Sequence, residues 1–360
     1  MTLRRQTVFR SVTMAGFFAL LLPGCTARTP SWAEVAARAP APAVTAAGET
    51  DAVATANADA ADDPAIWRDP RDPARSLIVG TDKKAGLNVY DLSGRQRHFI
   101  DAGRVNNVDL ITTLIGGRPG VLVAASDRND PLNARIALFE LDTAAATLRL
   151  LGTVAAGAGE AYGLCLAPQG GAVHVYMVAK DGTIAQVALD LSGTAPAGAI
   201  VRTMKLATQS EGCAVDPRTN MLYVAEENVG LWRFDAAPTG STAATSIAKV
   251  DGANLVADVE GLALAPIGDK GGWLVVSSQG DNAYALYRLE DGLFAGRFRI
   301  GAGRFGETSE TDGIALELGD FGPGYPGGLF IAQDGDNMPK AQNFKLVAWD
   351  AVINALKLNP

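Results

Sequence analysis

One short motif recurs along this chain at a nearly constant interval, and that interval constrains the fold more than any other feature. It is clearest at Gln209–Pro217, QSEGCAVDP, and related text stands at Asp62-Asp63-Pro64-Ala65-Ile66-Trp67, Asn107-Val108-Asp109-Leu110, Tyr162-Gly163-Leu164-Cys165, Glu260-Gly261-Leu262-Ala263 and Asp312-Gly313-Ile314-Ala315. With 63, 109, 162, 211, 260 and 312 as the leading positions, the steps are 46, 53, 49, 49 and 52 residues. A period near fifty is that of propellers and repeat arrays. Behind each leading motif comes an apolar run that ends in polar residues, such as Leu77–Lys83, Val121–Arg128, Val175–Asp181, Leu222–Glu227, Leu274–Gln279 and Leu329–Asp334. A turn and a further alternating run follow, for example Gly230–Phe234. Six units of at least three strands each predict an all-β chain folded as a six-bladed β-propeller. The 40 glycines and 7% aromatic content fit many tight turns rather than long helices.

The termini carry different text. Residues 1–25 begin with Arg4, Arg5 and Arg10, continue through an apolar run from Met14 to Leu22 and end at Pro23-Gly24-Cys25, the pattern of an export signal. The run is short for a membrane span. Leu22–Cys25 resembles a bacterial lipobox, so the chain is expected either as a lipoprotein of the periplasm or outer membrane, held to a membrane through Cys25, or as an ordinarily secreted protein. Residues 26–57 are rich in Ala and Pro and read as a flexible tether, which leaves 58–360 as the propeller domain. Cys165 and Cys213 fall at the same offset in adjacent repeats. In an exported protein they either pair or serve as two small core residues. A formal net charge of −8 argues against nucleic acid as a partner.

In a propeller, equivalent ends of the innermost strands converge on one mouth. Blades 1 to 3 bring cations there: Lys83 with Lys84, Arg128, and Lys180, beside Tyr162. Blades 4 to 6 bring Glu211, Glu226, Glu227, Asp258, Glu260, Asp312, Asp334 and Asp336. Crowded carboxylates repel one another unless protonated or neutralised by a cation. All-oxygen donors, with the Gln279 amide nearby and no suitable His or Cys, select a hard ion and favour Ca²⁺. Cations facing bound metal would grip a polyanion carrying several phosphates, and metal-bound water would attack phosphorus. Other phosphatase chemistries lack their residues: neither His98 nor His174 lies in an R-H-G-x-R-x-P motif, Gly171 and Thr219 stand where a C-x5-R loop needs Arg, and no G-x-x-x-x-G-K-[ST] loop is present.

At these residues the chain resembles the β-propeller phytases, the calcium-dependent 3-phytase family. The resemblance runs from about Asp62 to Trp349 and rests on Asp62–Trp67, Thr81–Leu87, Asn106–Asp109, Glu211-Gly212, Ala225–Glu227, Asp258–Leu262, Ser277–Gly280, Thr311–Gly313 and Ala332–Gly335 taken in order. It implies removal of phosphate from myo-inositol hexakisphosphate and lower inositol phosphates by an enzyme with several calcium ions, and the chain is expected to act as a monomer. In that reading Lys83, Arg128, Tyr162 and Lys180 hold substrate phosphates. Glu211, Glu227, Asp258, Glu260, Gln279 and Asp312, with Asp62 or Asp63 and with Asp334, hold calcium. The chain departs from the family pattern at Gly306, where an aspartate is usual, and in a shorter loop after Asp334. A different class of reading, a surface binding protein or a single-metal lactonase-like hydrolase on the same propeller, has no use for Lys83, Arg128 and Lys180 opposite the carboxylates.

Overall fold

Alternation decides the architecture. In Leu77–Asp82 and Gly86–Asp91, Val79, Leu87 and Val89 turn to one face of the sheet, while Ile78 and Tyr90 turn to the other. Each sheet is therefore apolar on both faces and must be covered on both. The computed structural model, which describes residues 40–359, meets this need with six antiparallel sheets arranged as propeller blades. The innermost strands are Ala61–Trp67, Val105–Ile115, Ala161–Gln169, Ser210–Asp216, Val259–Ile267 and Ile314–Leu318. Each touches the next, and the sixth touches the first. The core is correspondingly divided into six apolar clusters, one between each pair of adjacent blades. Burying one Leu or Val in such a cluster contributes about 1.5–3 kcal/mol.

Blade 6 takes three strands from the C-terminal part of the chain, and Gly48–Glu49 supplies its fourth by pairing with Leu346 and Lys345. Ala43–Val44 adds a fifth, parallel strand to blade 5 against Arg299 and Ile300. The expected boundary at residue 58 is thus too late. From Ala43 onward the supposed tether is built into the sheets, with Val44, Ala46 and Val53 buried. The export signal, Cys25 and the rest of the tether before Pro40 lie outside the described residues. A short C-terminal helix, Trp349–Leu356, caps the interface of blades 5 and 6 with Trp349, Val352 and Ile353.

Cys165 and Cys213 form a disulfide, with their Cα atoms 5.7 Å apart, joining the inner strands of blades 3 and 4. Of the two alternatives the sequence left open, pairing is the one realised.

Candidate active site at the propeller mouth

The backbone aims the functional side chains by one repeated device. Pairing of the inner strand with its neighbour slips between Ala61 and Pro64, Val105 and Val108, Ala161 and Gly163, Ser210 and Cys213, and Val259 and Leu262. The residues skipped are Asp62-Asp63, Asn106-Asn107, Tyr162, Glu211-Gly212 and Glu260-Gly261. In blade 6 the corresponding Asp312-Gly313 comes just before the strand. A bulge of this kind re-aims a side chain out of the ladder, here toward the mouth.

The glycines beside these residues let the blades meet. A Cβ on Gly163 would stand 1.8 Å from the Glu211 carbonyl oxygen, and one on Gly212 would stand 2.1 Å from that of Glu260. Gly261 N and Gly313 N donate to the carbonyls of Asp312 and Asp62, each at 3.1 Å. A side chain at any of these positions would push neighbouring inner strands apart.

This register corrects two leading positions. Asp62 and Asn106, not Asp63 and Asp109, are the equivalents of Tyr162, Glu211, Glu260 and Asp312. Asp63 is buried and accepts from Val108 N at 3.0 Å, which stitches blade 1 to blade 2. Asp109 stitches blade 2 to blade 3 by accepting from Leu166 N at 2.7 Å, and burial pushes its carboxyl up to about 6. Neither is placed to hold an ion at the mouth.

Carboxylate oxygens of Glu211, Glu227 and Glu260 all lie within 4.8 Å of one another, and all three residues are buried. Burial raises the pKa of Glu211 and Glu260 well above the usual carboxylate range, and the charges around them add to it: Asp62 and Asp312 for Glu211, Glu211 and Asp312 for Glu260. Burial raises Asp312 likewise, against the pull of Lys83, and it also raises Glu227. One oxygen on each of Asp62, Glu227 and Glu260 is buried with no hydrogen-bond donor among the described residues. Buried acceptors in that state call for a cation or a proton, and this donor set of hard oxygens fits a divalent ion of the calcium type. Asp258 and Gln279 line the same cleft of about 670 Å³, and Gln279 also donates to Asp312.

The cations divide into two groups rather than one facing wall. Lys83 sits among the acids, 2.8 Å from Asp59, 3.2 Å from Asp62 and 3.1 Å from Asp312. Burial works against its charge, but these three carboxylates outweigh it and raise its pKa, so the ammonium persists. Arg128 and Lys180 lie over the Tyr162 ring, 5.1 and 5.0 Å from its centroid. Arg128 also donates to Glu160 through Nε and Nη2, at 3.0 and 2.7 Å, and through Nη1 to Asn106. Asn106 in turn donates to Glu211 at 2.6 Å, so basic and acidic sides are joined by one amide.

Two other acids stand apart from the cleft. Asp334 is buried beside Lys345, 3.2 Å away, and the same ammonium meets Glu49 at 2.7 Å. A built-in cation already balances Asp334, so it is not brought to the ion-binding group. Glu226 accepts from Thr208 and from the Trp232 indole and serves the blade. Asp59, Asn106, Glu160 and Gln209 are members of the mouth that sequence reasoning did not single out. Asn106 could have been found from its place in the bulge, but the others contribute through contacts far along the chain.

The fold and site together define a propeller whose mouth gathers buried carboxylates beside a cluster of basic groups. The sequence model of the phytase family matches residues 10–360. A curated 3-phytase from Bacillus subtilis (strain 168) is 37% identical over 327 residues, covering 87% of this chain and 85% of that protein. The chain belongs to the phytase family, and the expectation of an enzyme of that class is borne out.

Proposed function

We propose that this enzyme releases phosphate from phytate and lower inositol phosphates, acts with bound calcium, and works outside the cytoplasm as a monomer. The observation that carries the reading is the juxtaposition of the buried carboxylates of Glu211, Glu227 and Glu260, two of them with an oxygen left without a donor among the described residues, with Tyr162 and the Arg128 and Lys180 cations stacked on its ring. Asp62, Glu211, Glu227, Asp258, Glu260, Gln279 and Asp312 would hold the ions. When bound, calcium supplies charge neutralisation, Lewis acidity toward a phosphoryl oxygen and a more acidic water for attack on phosphorus.

The chain's own residues bind and orient the substrate. Arg128 and Lys180 offer positive charge to phosphate oxygens, Arg as a fork and Lys as a point charge. Burial, reinforced by Glu211, Glu260 and Glu227, keeps the Tyr162 phenol protonated and able to donate. Lys83 stays cationic through its acidic neighbours and can turn to a phosphate oxygen once those acids are neutralised. The Cys165–Cys213 disulfide supports folding in an oxidising compartment, in keeping with the export signal and with attachment through a lipidated Cys25.

The test is phosphate release from phytate by chelator-stripped protein before and after calcium is added back. Release that returns with calcium supports the reading, and no release at any calcium concentration from folded protein overturns it.

A pH dependence follows from the raised carboxyls. Unfolded, Glu titrates near 4.5 and Asp near 3.8. Folded without metal, Glu211, Glu260 and Asp312 keep their protons to higher pH, so their contribution favours the fold below those values and is lost as pH rises through the folded-state pKa values. Calcium must displace these protons. The increase in urea midpoint caused by calcium should therefore be larger at about pH 8 than at about pH 5, and equal increases would contradict the arrangement.

A further inference from the structure

Asp281 ends the short turn Gln279–Asp281 and is completely buried. Arg297 Nη2 donates to both of its oxygens, at 2.7 and 2.6 Å. Arg299 adds Nη2 to Oδ2 at 2.6 Å and Nε to the Asp281 carbonyl at 3.1 Å. The Ser278 hydroxyl lies 2.8 Å from Oδ1. Burying one acid with two guanidinium groups is a costly arrangement, and it is strongly destabilised when one partner is lost.

What this node touches leads to the mouth. Arg297 Nη1 donates to the Ala253 carbonyl, and the Ser278 hydroxyl accepts from Val256 N at 2.9 Å, so both grip the segment leading into Asp258. Gln279 N donates to the Asp258 carbonyl at 2.9 Å. Gly280 packs so closely on Ala257 that a Cβ there would lie 1.8 Å from its carbonyl oxygen. Asn282 accepts from Glu310 N at 2.9 Å, two residues before Asp312. Three segments that bring Asp258, Gln279 and Asp312 to the cleft are thus tied to Asp281 through its partners Arg297 and Ser278 and its chain neighbours Gly280 and Asn282.

We propose that Asp281 is a positioning residue: clamped by Arg297 and Arg299, it fixes the spacing of Asp258 and Gln279 for the ion they would share. The inference rests on the calcium reading above and adds a residue that does not itself face the cleft. Partners behind metal ligands typically change metal affinity about 10–100-fold when altered.

The test is calorimetric titration of Ca²⁺ into stripped full-length protein, native and Asp281→Asn, with melting temperature measured alongside. Asp216→Asn is the matched control, because Asp216 is another buried acid held by an arginine, Arg218 at 2.8–2.9 Å, but it lines a separate cavity between the inner strands, with Leu164 and Leu262, rather than the cleft. Both variants should melt lower, and only Asp281→Asn should need about tenfold more calcium. Calcium midpoints equal to native in folded Asp281→Asn would overturn the proposal while leaving the calcium reading intact. If native protein binds no calcium, that reading falls and this one with it. If Asp281→Asn does not fold, Arg299→Lys, which keeps the charge but loses the fork, is judged by the same criterion.

Discussion

A chain starting at Ala58 should fail to melt as a cooperative unit, whereas one starting at Pro40 should melt like the full-length protein. The shorter chain lacks both closing strands. It loses the backbone bonds from Ala47, Thr50 and Val53 to Leu346, Phe344 and Gln342, and it uncovers the sites of Val44, Ala46 and Val53. It also leaves Lys345, 1% exposed, without Glu49. Each lost buried Val costs about 1.5–3 kcal/mol, and the lost backbone bonds and the Glu49 partner of Lys345 add to that, although Lys345 keeps Asp334. Together these approach the roughly 5–15 kcal/mol that holds a typical domain folded. Thermal unfolding followed by circular dichroism decides it, and a sharp transition within a few degrees of the longer chain would show that blade 6 closes without its N-terminal strand.

The second large effect is expected at Glu211. Glu211→Gln keeps the shape and still accepts from Asn106, but it removes one buried charge from the acidic group. Phosphate release from phytate at saturating calcium should fall at least about 100-fold, which is about 2.7 kcal/mol of barrier. Without metal the variant should be as stable as the native protein or more so, because the carboxylate it replaces is raised by burial and by Asp62 and Asp312. The stabilisation brought by calcium should shrink. Activity assay and melting curves on the same preparation test this. Retained turnover, or collapse of the metal-free fold, would show that Glu211 is a structural residue.

The blades were legible because each repeats the same polar leader and alternating strands, and local text carries that information. The mouth was legible for the same reason at Tyr162, Glu211, Glu260 and Asp312, where a glycine follows the leader. Blades 1 and 2 were misread by one and three residues. Their bulges hold Asp62-Asp63 and Asn106-Asn107, so two polar residues compete for one role and only backbone pairing separates them. Asp334 was misread because its counter-charge comes from Lys345 on the neighbouring strand, next to Glu49 from the other end of the chain. The closing strands are two residues each, too short for any period to reveal. Lys83 was placed opposite the acids by blade order alone, yet a long side chain reaches Asp312 across the ring seam.

The bulge and its adjoining glycine separate where a side chain points from what it is. Main-chain geometry sets the direction at 62, 106, 162, 211 and 260, and the turn before the inner strand does so at 312, whatever partners the displayed group then finds, such as Lys83 for Asp62 and Arg128 for Asn106. The rim thus behaves as a socket with six exchangeable pins. Recharging it for another anion means editing pins, and the scaffold beneath need not be redesigned.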